Sequence, residues 1–172
     1  MIHLFCGGRS SLSKLNEPLD GLKVVLNFGF LNCEKFDILF WGDKIVGDKL
    51  AEVYTDKPPF KCVCLRRNEG KAQAWVDETY AYNFGVFTVV WALMWLREKF
   101  PDEDIYVYGL DGDGVDFYDS KAGVKQPETE ERIRRNFLCY GQIDKLPKDR
   151  IYNCNPNSAY KGFEFAEPIE ID

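Results

Sequence analysis

Four apolar runs of this 172-residue chain stop on residues that can do chemistry. Ile2–Cys6 runs into Gly7-Gly8-Arg9-Ser10-Ser11, and Lys23–Asn27 stops on Asn27 itself. Asp37–Trp41 is followed by Gly42-Asp43, and Ile105–Leu110 by Asp111-Gly112-Asp113. Glycines at a strand-to-helix turn let the backbone approach a ligand closely. The first amides of the helix that follows favour an anion such as phosphate. If the runs are parallel strands, their ends share one edge, where ligands of open α/β sheets bind. Ser11, Asn27, Asp43 and Asp111 then converge. Singly, each serves equally well as a turn or cap residue; the set argues for a small-molecule, nucleotide-type site.

Two further segments carry candidate groups. Asp111 to Asp119 is rich in Asp and Gly, but Val115 and Ala122 stand where a calcium-binding EF-hand loop needs carboxylates. A Mg²⁺ ion held by one or two of these carboxylates and a substrate phosphate stays open, beside an acidic loop that holds no metal. Asn153 to Ser158 has the composition of a turn, and its amides and hydroxyl, Asn157 and Ser158 included, also suit a sugar or base edge.

The elements that must position these groups follow from hydrophobic pattern. Lys61–Leu65 and Arg150–Cys154 read as two more strands. Helices are expected over Ser11–Leu19, Ile45–Tyr54, Asn83–Phe100 and Glu128–Tyr140. Asn83–Phe100 is apolar nearly all round until Arg97 and is stopped by Pro101, so it is expected in the core, with Trp91 and Trp95. Strands alternating with helices imply an α/β fold: a single Rossmann-like domain over 1–172, with a mostly parallel open sheet and helices on both faces. The acidic tail, about 164–172, reads as loosely held.

Bulk properties narrow the partners. A net charge of −6 without a basic stripe argues against direct duplex nucleic-acid binding. Arg66-Arg67 and Arg132-Arg134-Arg135 read as solvated charge, with a phosphate contact as the lesser reading. The longest apolar stretch, Phe84–Leu96, is too short for a membrane span. The six cysteines form no CxxC pair, and the single histidine, His3, removes the usual zinc spacings. No signal peptide is visible, and free thiols in apolar runs fit a reduced, cytoplasmic protein.

The succession of motifs resembles the family that includes bacterial sialyltransferase-like glycosyltransferases, the DUF115 proteins and the archaeal-type 6-hydroxymethylpterin pyrophosphokinases. The matching segments are the turn Gly7 to Leu12, Leu26 to Phe30 around Asn27, Phe40 to Asp43, Asn83-Phe84-Gly85, Ile105 to Asp111 with Asp116 to Asp119, and Asn153 to Ser158. Arg9 and Ser10 replace the family's Gly-Pro in the first turn. The sialyltransferase branch uses a histidine as general base, and this chain has none beyond His3. The resemblance implies a nucleotide-sugar or related activated-phosphate donor. Gly7, Gly8, Ser10 and Ser11 would take the phosphates; Asn27, Asn83, Gly85, Asn157 and Ser158 would line base or sugar. Without the histidine, a base would come from Asp43, Asp111, Asp116 or Tyr118. The alternatives are a Mg²⁺-dependent pyrophosphokinase-like phosphotransferase using Asp43 and Asp111, and a non-catalytic nucleotide- or sugar-binding module. The resemblance suits a bacterial or bacteriophage source.

Overall fold

A computed structural model describes residues 1–65, 69–80, 87–123, 125 and 127–168. Eight strands form one sheet: β1 Ile2–Phe5, β2 Leu22–Leu26, β3 Ile38–Trp41, β4 Lys61–Leu65, β5 Glu78–Tyr80, β6 Ile105–Tyr108, β7 Ile151–Asn153 and β8 Glu164–Phe165. Their spatial order is β5-β4-β3-β2-β1-β6-β7-β8, and all seven pairings are parallel. The chain is therefore a Rossmann-like open α/β sheet. From β1 it winds outward to β5, then crosses back to β6 on the other side of β1. The gap between β1 and β6 is the topological switch point, where the connections leaving the two strands part to opposite directions and open a crevice.

Alternation along the strands feeds two cores. Leu4, Val24, Ile38, Phe40, Val63, Ile105 and Val107 face the helices α3 (Thr88–Lys99) and α5 (Thr129–Ile143). The intervening residues Leu39, Trp41, Cys62 and Cys64 face α2 (Lys44–Val53), while Phe5, Val25, Tyr106 and Tyr108 face Leu15 of the short α1 (Leu12–Leu15). A sheet covered on both faces explains why its strands are apolar at nearly every position. Trp95 and Leu96 of α3 are fully buried, and Trp91 nearly so.

Some boundaries differ from expectation. The helix after β1 is a 3-10 turn, Arg9–Ser11, followed by a single α-turn, and does not reach Leu19. A second 3-10 turn, Asn27–Leu31, follows β2 directly. The buried helix begins at Thr88; the expected start at Asn83, with Gly85, lies outside the described residues. Part of the tail is held, because Glu164–Phe165 adds to the sheet beside β7. The short α4 (Asp119–Ala122), ended by Gly123 at φ 67°, was not anticipated. No helix among the described residues is long and apolar enough to cross a membrane.

Candidate functional site

The turn after β1 is closed by the chain itself. Gly8 N–H donates to the Gly109 carbonyl (2.9 Å), and Phe117 N–H donates to the Gly7 carbonyl (2.8 Å). A Cβ on Gly8 would strike the Gly109 carbonyl and the Asp111 carboxylate; one on Gly7 would strike Asp116 and Tyr118. These glycines therefore make room for the loop that follows β6. The Ser10 amide donates to Asp111 (2.8 Å), and the Ser10 hydroxyl donates to the same carboxylate. Asn155 Nδ2 adds a third donor at 2.8 Å. Ser11 is fully buried; its hydroxyl donates to the Gly8 carbonyl (2.7 Å) and its amide to the same oxygen (3.1 Å). The amides of Gly8, Ser10 and Ser11 are thus already engaged, and Asp111 sits where the anion was expected.

An open cleft lies beside this turn, at the carboxyl edge of the sheet. It encloses about 300 Å³, at the lower end of the range for small-molecule sites. One side is formed by the ends of β2 and β3. Asn27 has φ 49°, a left-handed conformation that Asn tolerates better than most residues, and its Oδ1 accepts from Gly42 N–H at 3.3 Å. Gly42 has no side chain because Thr88, at the start of α3, occupies that space. Asp43 flanks the first turn of α2, and its carbonyl accepts from Val46 N–H at 2.9 Å. Its carboxylate is exposed to the cleft, and no donor among the described residues reaches it.

The opposite side is α5, which presents Arg132, Arg135, Asn136, Cys139 and Tyr140 to the cleft. Arg132 is half-buried and pairs with Asp116 and with Asp119 (2.6 Å). Burial pushes the Asp116 carboxyl above the usual carboxylate range, and Arg132 pulls it partly back. Burial, with the adjacent Asp116 charge, also raises the Tyr118 phenol well above its ordinary range. A phenol beside a carboxylate resists ionisation, so Tyr118 is suited to hold Asp116 rather than to act as a base. Among the described residues no carboxylate closes an ion pair with Arg135.

No family model, curated protein or solved structure matches this chain.

The residues named from sequence divide as follows. Gly7, Gly8, Asn27, Asp43, Asp111, Asp116 and Tyr118 line the one cleft. Ser10 faces a second cavity, on the α1 side. Ser11 is sealed beneath the turn. Asn157 is exposed, its amide donating to Asn155 Oδ1 (2.9 Å), and Ser158 is buried with its hydroxyl on the Leu110 carbonyl. From that segment Asn155 reaches the site, through Asp111. Asn83 and Gly85 lie outside the described residues. His3 is buried at the centre of the sheet and lines the second cavity, remote from any role in the cleft. Among the described residues no three carboxylate, thiol or imidazole groups gather to hold a metal ion.

In the sequence Arg135 has a phosphate contact only as the lesser reading of a charged cluster, and Asn136 is not singled out. The signal was present: positions 132, 135, 136, 139 and 140 fall on one helical stripe. Reading the three arginines as one charged cluster hid it. Arg134, on the outer face, pairs with Glu131 at 2.7 Å.

Proposed function

We propose that the cleft binds a nucleotide or nucleotide sugar and that the chain is a glycosyltransferase-like protein using such a donor. The observation that carries this reading is the cleft's two-ended chemistry. Asp43, whose carboxylate meets no donor among the described residues, and the amide of Asn27 stand at one end; Arg135, whose guanidinium forms no ion pair among them, stands at the other, with Asn136 beside it. Ligands with a hydrogen-bonding head and an anionic tail suit that arrangement. The anion would meet Arg135, with Arg132 behind it, and not the glycine turn. Asp116 is the carboxylate suited to take a proton from an acceptor, since a raised pKa brings a carboxyl closer to the working pH of a general base.

The Mg²⁺-dependent phosphotransferase alternative relied on Asp43 and Asp111 together. It has less support, because both Asp111 oxygens already accept from Ser10 or Asn155. A Mg²⁺ site built from Asp43 and substrate phosphates is the form of it that the residues fit. The deciding experiment is a thermal-shift series over nucleotides and nucleotide sugars, with and without Mg²⁺, on wild type and Arg135→Ala. Binding raises apparent stability by mass action. A shift with a phosphate-bearing ligand that Arg135→Ala abolishes supports the reading. Its absence across the series overturns it. Turnover of the bound donor then separates a transferase from a binding module.

A further inference from the structure

The Asn27–Asp43 end of the cleft carries more information than a preference for polar groups. Asn27 Oδ1 accepts from the Gly42 amide at 3.3 Å, which fixes the orientation of its amide. Nδ2, which meets no acceptor among the described residues, can only donate. Asp43 is the next residue after Gly42, and a carboxylate can only accept. The neighbouring cleft walls are apolar: Leu26, Val46, Leu65 and Phe87. Apolar walls, with one donor on Asn27 and a two-oxygen acceptor on Asp43 lining the same cleft, suit a planar heterocycle recognised along one edge.

The order of groups selects among the bases. Guanine presents the carbonyl O6 followed by two N–H donors, N1–H and the 2-amino group. Asn27 Nδ2 would donate to O6, and the two Asp43 oxygens would accept from the two N–H groups. Charge-assisted, bidentate pairs of this kind are the strong ones. Uracil offers a single N–H between two carbonyls, so one carboxylate oxygen would face a carbonyl. Cytosine, with its O2 on Asn27 Nδ2, offers the carboxylate one amino donor and the ring acceptor N3, so one carboxylate oxygen again faces an acceptor. Adenine supplies one donor and one acceptor, one hydrogen bond fewer than guanine. Resting on the reading of the cleft as a nucleotide site, we propose that Asn27 and Asp43 make it selective for a guanine nucleotide. The strained backbone of Asn27 fits this role, since a non-glycine residue at φ 49° is held there by its surroundings.

The test is calorimetric titration of wild type, Asp43→Asn and Asn27→Gly with GDP, IDP, ADP, CDP and UDP. Asn27→Gly keeps the positive φ accessible while removing the amide, and Asp43 is exposed, so both variants are expected to fold; circular dichroism checks this. Wild type should bind GDP at least about ten-fold more tightly than IDP, which lacks only the 2-amino group. Asp43→Asn should weaken GDP about ten-fold or more and close the gap between GDP and IDP. Asn27→Gly should weaken GDP and IDP alike. Equal or tighter binding of another diphosphate, or an unchanged GDP-to-IDP ratio in Asp43→Asn, overturns the guanine assignment while leaving a nucleotide site standing. If none of the five binds wild type, the nucleotide reading itself falls, and this assignment with it.

Discussion

The Asp111 carboxylate sits on Ser10, accepting from its backbone amide at 2.8 Å and from its hydroxyl. This pair joins the loop after β6 to the turn after β1, across the switch point. It places a fixed negative charge where a phosphate-binding turn would hold its ligand, and it turns any anionic ligand toward α5. Arg9 reinforces the same join by pairing with Asp113 at 2.9 Å.

Removing the carboxylate should therefore cost stability and leave donors without a partner. Asp111→Ala loses three acceptor contacts at a partly exposed site, and a loss of about 1–3 kcal/mol is expected. In a domain of this size that lowers Tm by roughly 3–10 °C. Formate, added at high concentration, should restore more of the Tm in this variant than it gives wild type. Asp111→Asn, which keeps oxygen acceptors for one or two donors, should lose less and respond less to formate. Differential scanning calorimetry with and without formate reads all of this. An Asp111→Ala protein as stable as wild type would show that the join contributes nothing.

Gly8 makes a related prediction with a different reading from sequence. The sequence alone reads Gly8 as a residue that lets the backbone approach a ligand closely. In the structure the missing Cβ faces the Gly109 carbonyl and Asp111. Gly8→Ala should therefore act on stability, by about 1–3 kcal/mol as overpacking does, and should separate β1's turn from the β6 loop. Chemical denaturation will show a lowered midpoint if this holds. A variant of wild-type stability that only loses ligand would restore the original interpretation.

Much of the fold was legible, for a physical reason. β4 matches its expected range because a strand covered on both faces is apolar along its buried length, here Cys62, Val63, Cys64 and Leu65 after the exposed Lys61. β5 and β8 were not seen because they are three- and two-residue strands at the sheet's edges, half exposed and polar enough to resemble loops. For the site, the strand ends exposed Asn27, Asp43 and Asp111, since parallel topology alone brings such ends together. What each side chain does there was not legible. Whether Asp111 faces a ligand or Ser10 depends on the close approach of two loops about a hundred residues apart, which Gly8 and Gly109 allow without announcing it. Arg135 reads first as solvated charge, with a phosphate contact as the lesser reading, because its neighbours Arg132 and Arg134 blur the helical stripe into a charge cluster.

Arg132 tests the acidic cluster. It is the shared partner of Asp116 and Asp119, and removing it leaves two partly buried carboxylates without their cation. Arg132→Leu should cost about 2–4 kcal/mol at pH 7, near the lower range for broken buried pairs. The cost should shrink as pH falls toward 4, because Asp116, already raised by burial and now lacking Arg132, is neutralised by protonation. Urea denaturation of wild type and variant at pH 7 and pH 4.5 gives the comparison. A pH-independent difference would mean that packing of the arginine stem, and not charge, sets the loss.

The thiols give a kinetic prediction. All six cysteines are free; five are buried and Cys154 is half-buried. Burial pushes Cys62, Cys64, Cys139 and Cys154 up to about 12, and the thiolate is the reactive form. At pH 8 almost none of the native thiols is ionised. A chromogenic disulfide reagent should label native protein slowly, with Cys154 first, and all six sites at once after denaturation. Rapid labelling of Cys6 or Cys139, which border the cleft, would show that the cleft opens further than its 300 Å³ implies.

His3 sets the pH dependence of stability above the carboxylate range. Its Nε2 lies 2.8 Å from the Asp20 carbonyl, which can only accept, so Nε2 carries the proton. Nδ1 then accepts from the Tyr108 hydroxyl at 3.1 Å. Both ring nitrogens are satisfied in the neutral form, and a second proton would make Nδ1 a donor and force the Tyr108 hydroxyl to turn and accept instead. Burial is the largest cause holding the imidazole below its ordinary value of 6.5; the Asp20 bond opposes it, and the Met1 ammonium and Lys23 act with it. A depressed folded pKa means that the unfolded chain binds more protons in this window. Stability is therefore full above the unfolded value near 6.5 and is lost as pH falls through it toward the folded one. His3→Gln keeps a donor for Asp20 and cannot titrate. Its Tm should fall less than that of wild type between pH 7.5 and 5.5, whatever the absolute stabilities. Parallel Tm profiles for the two proteins would show that His3 protonates without cost.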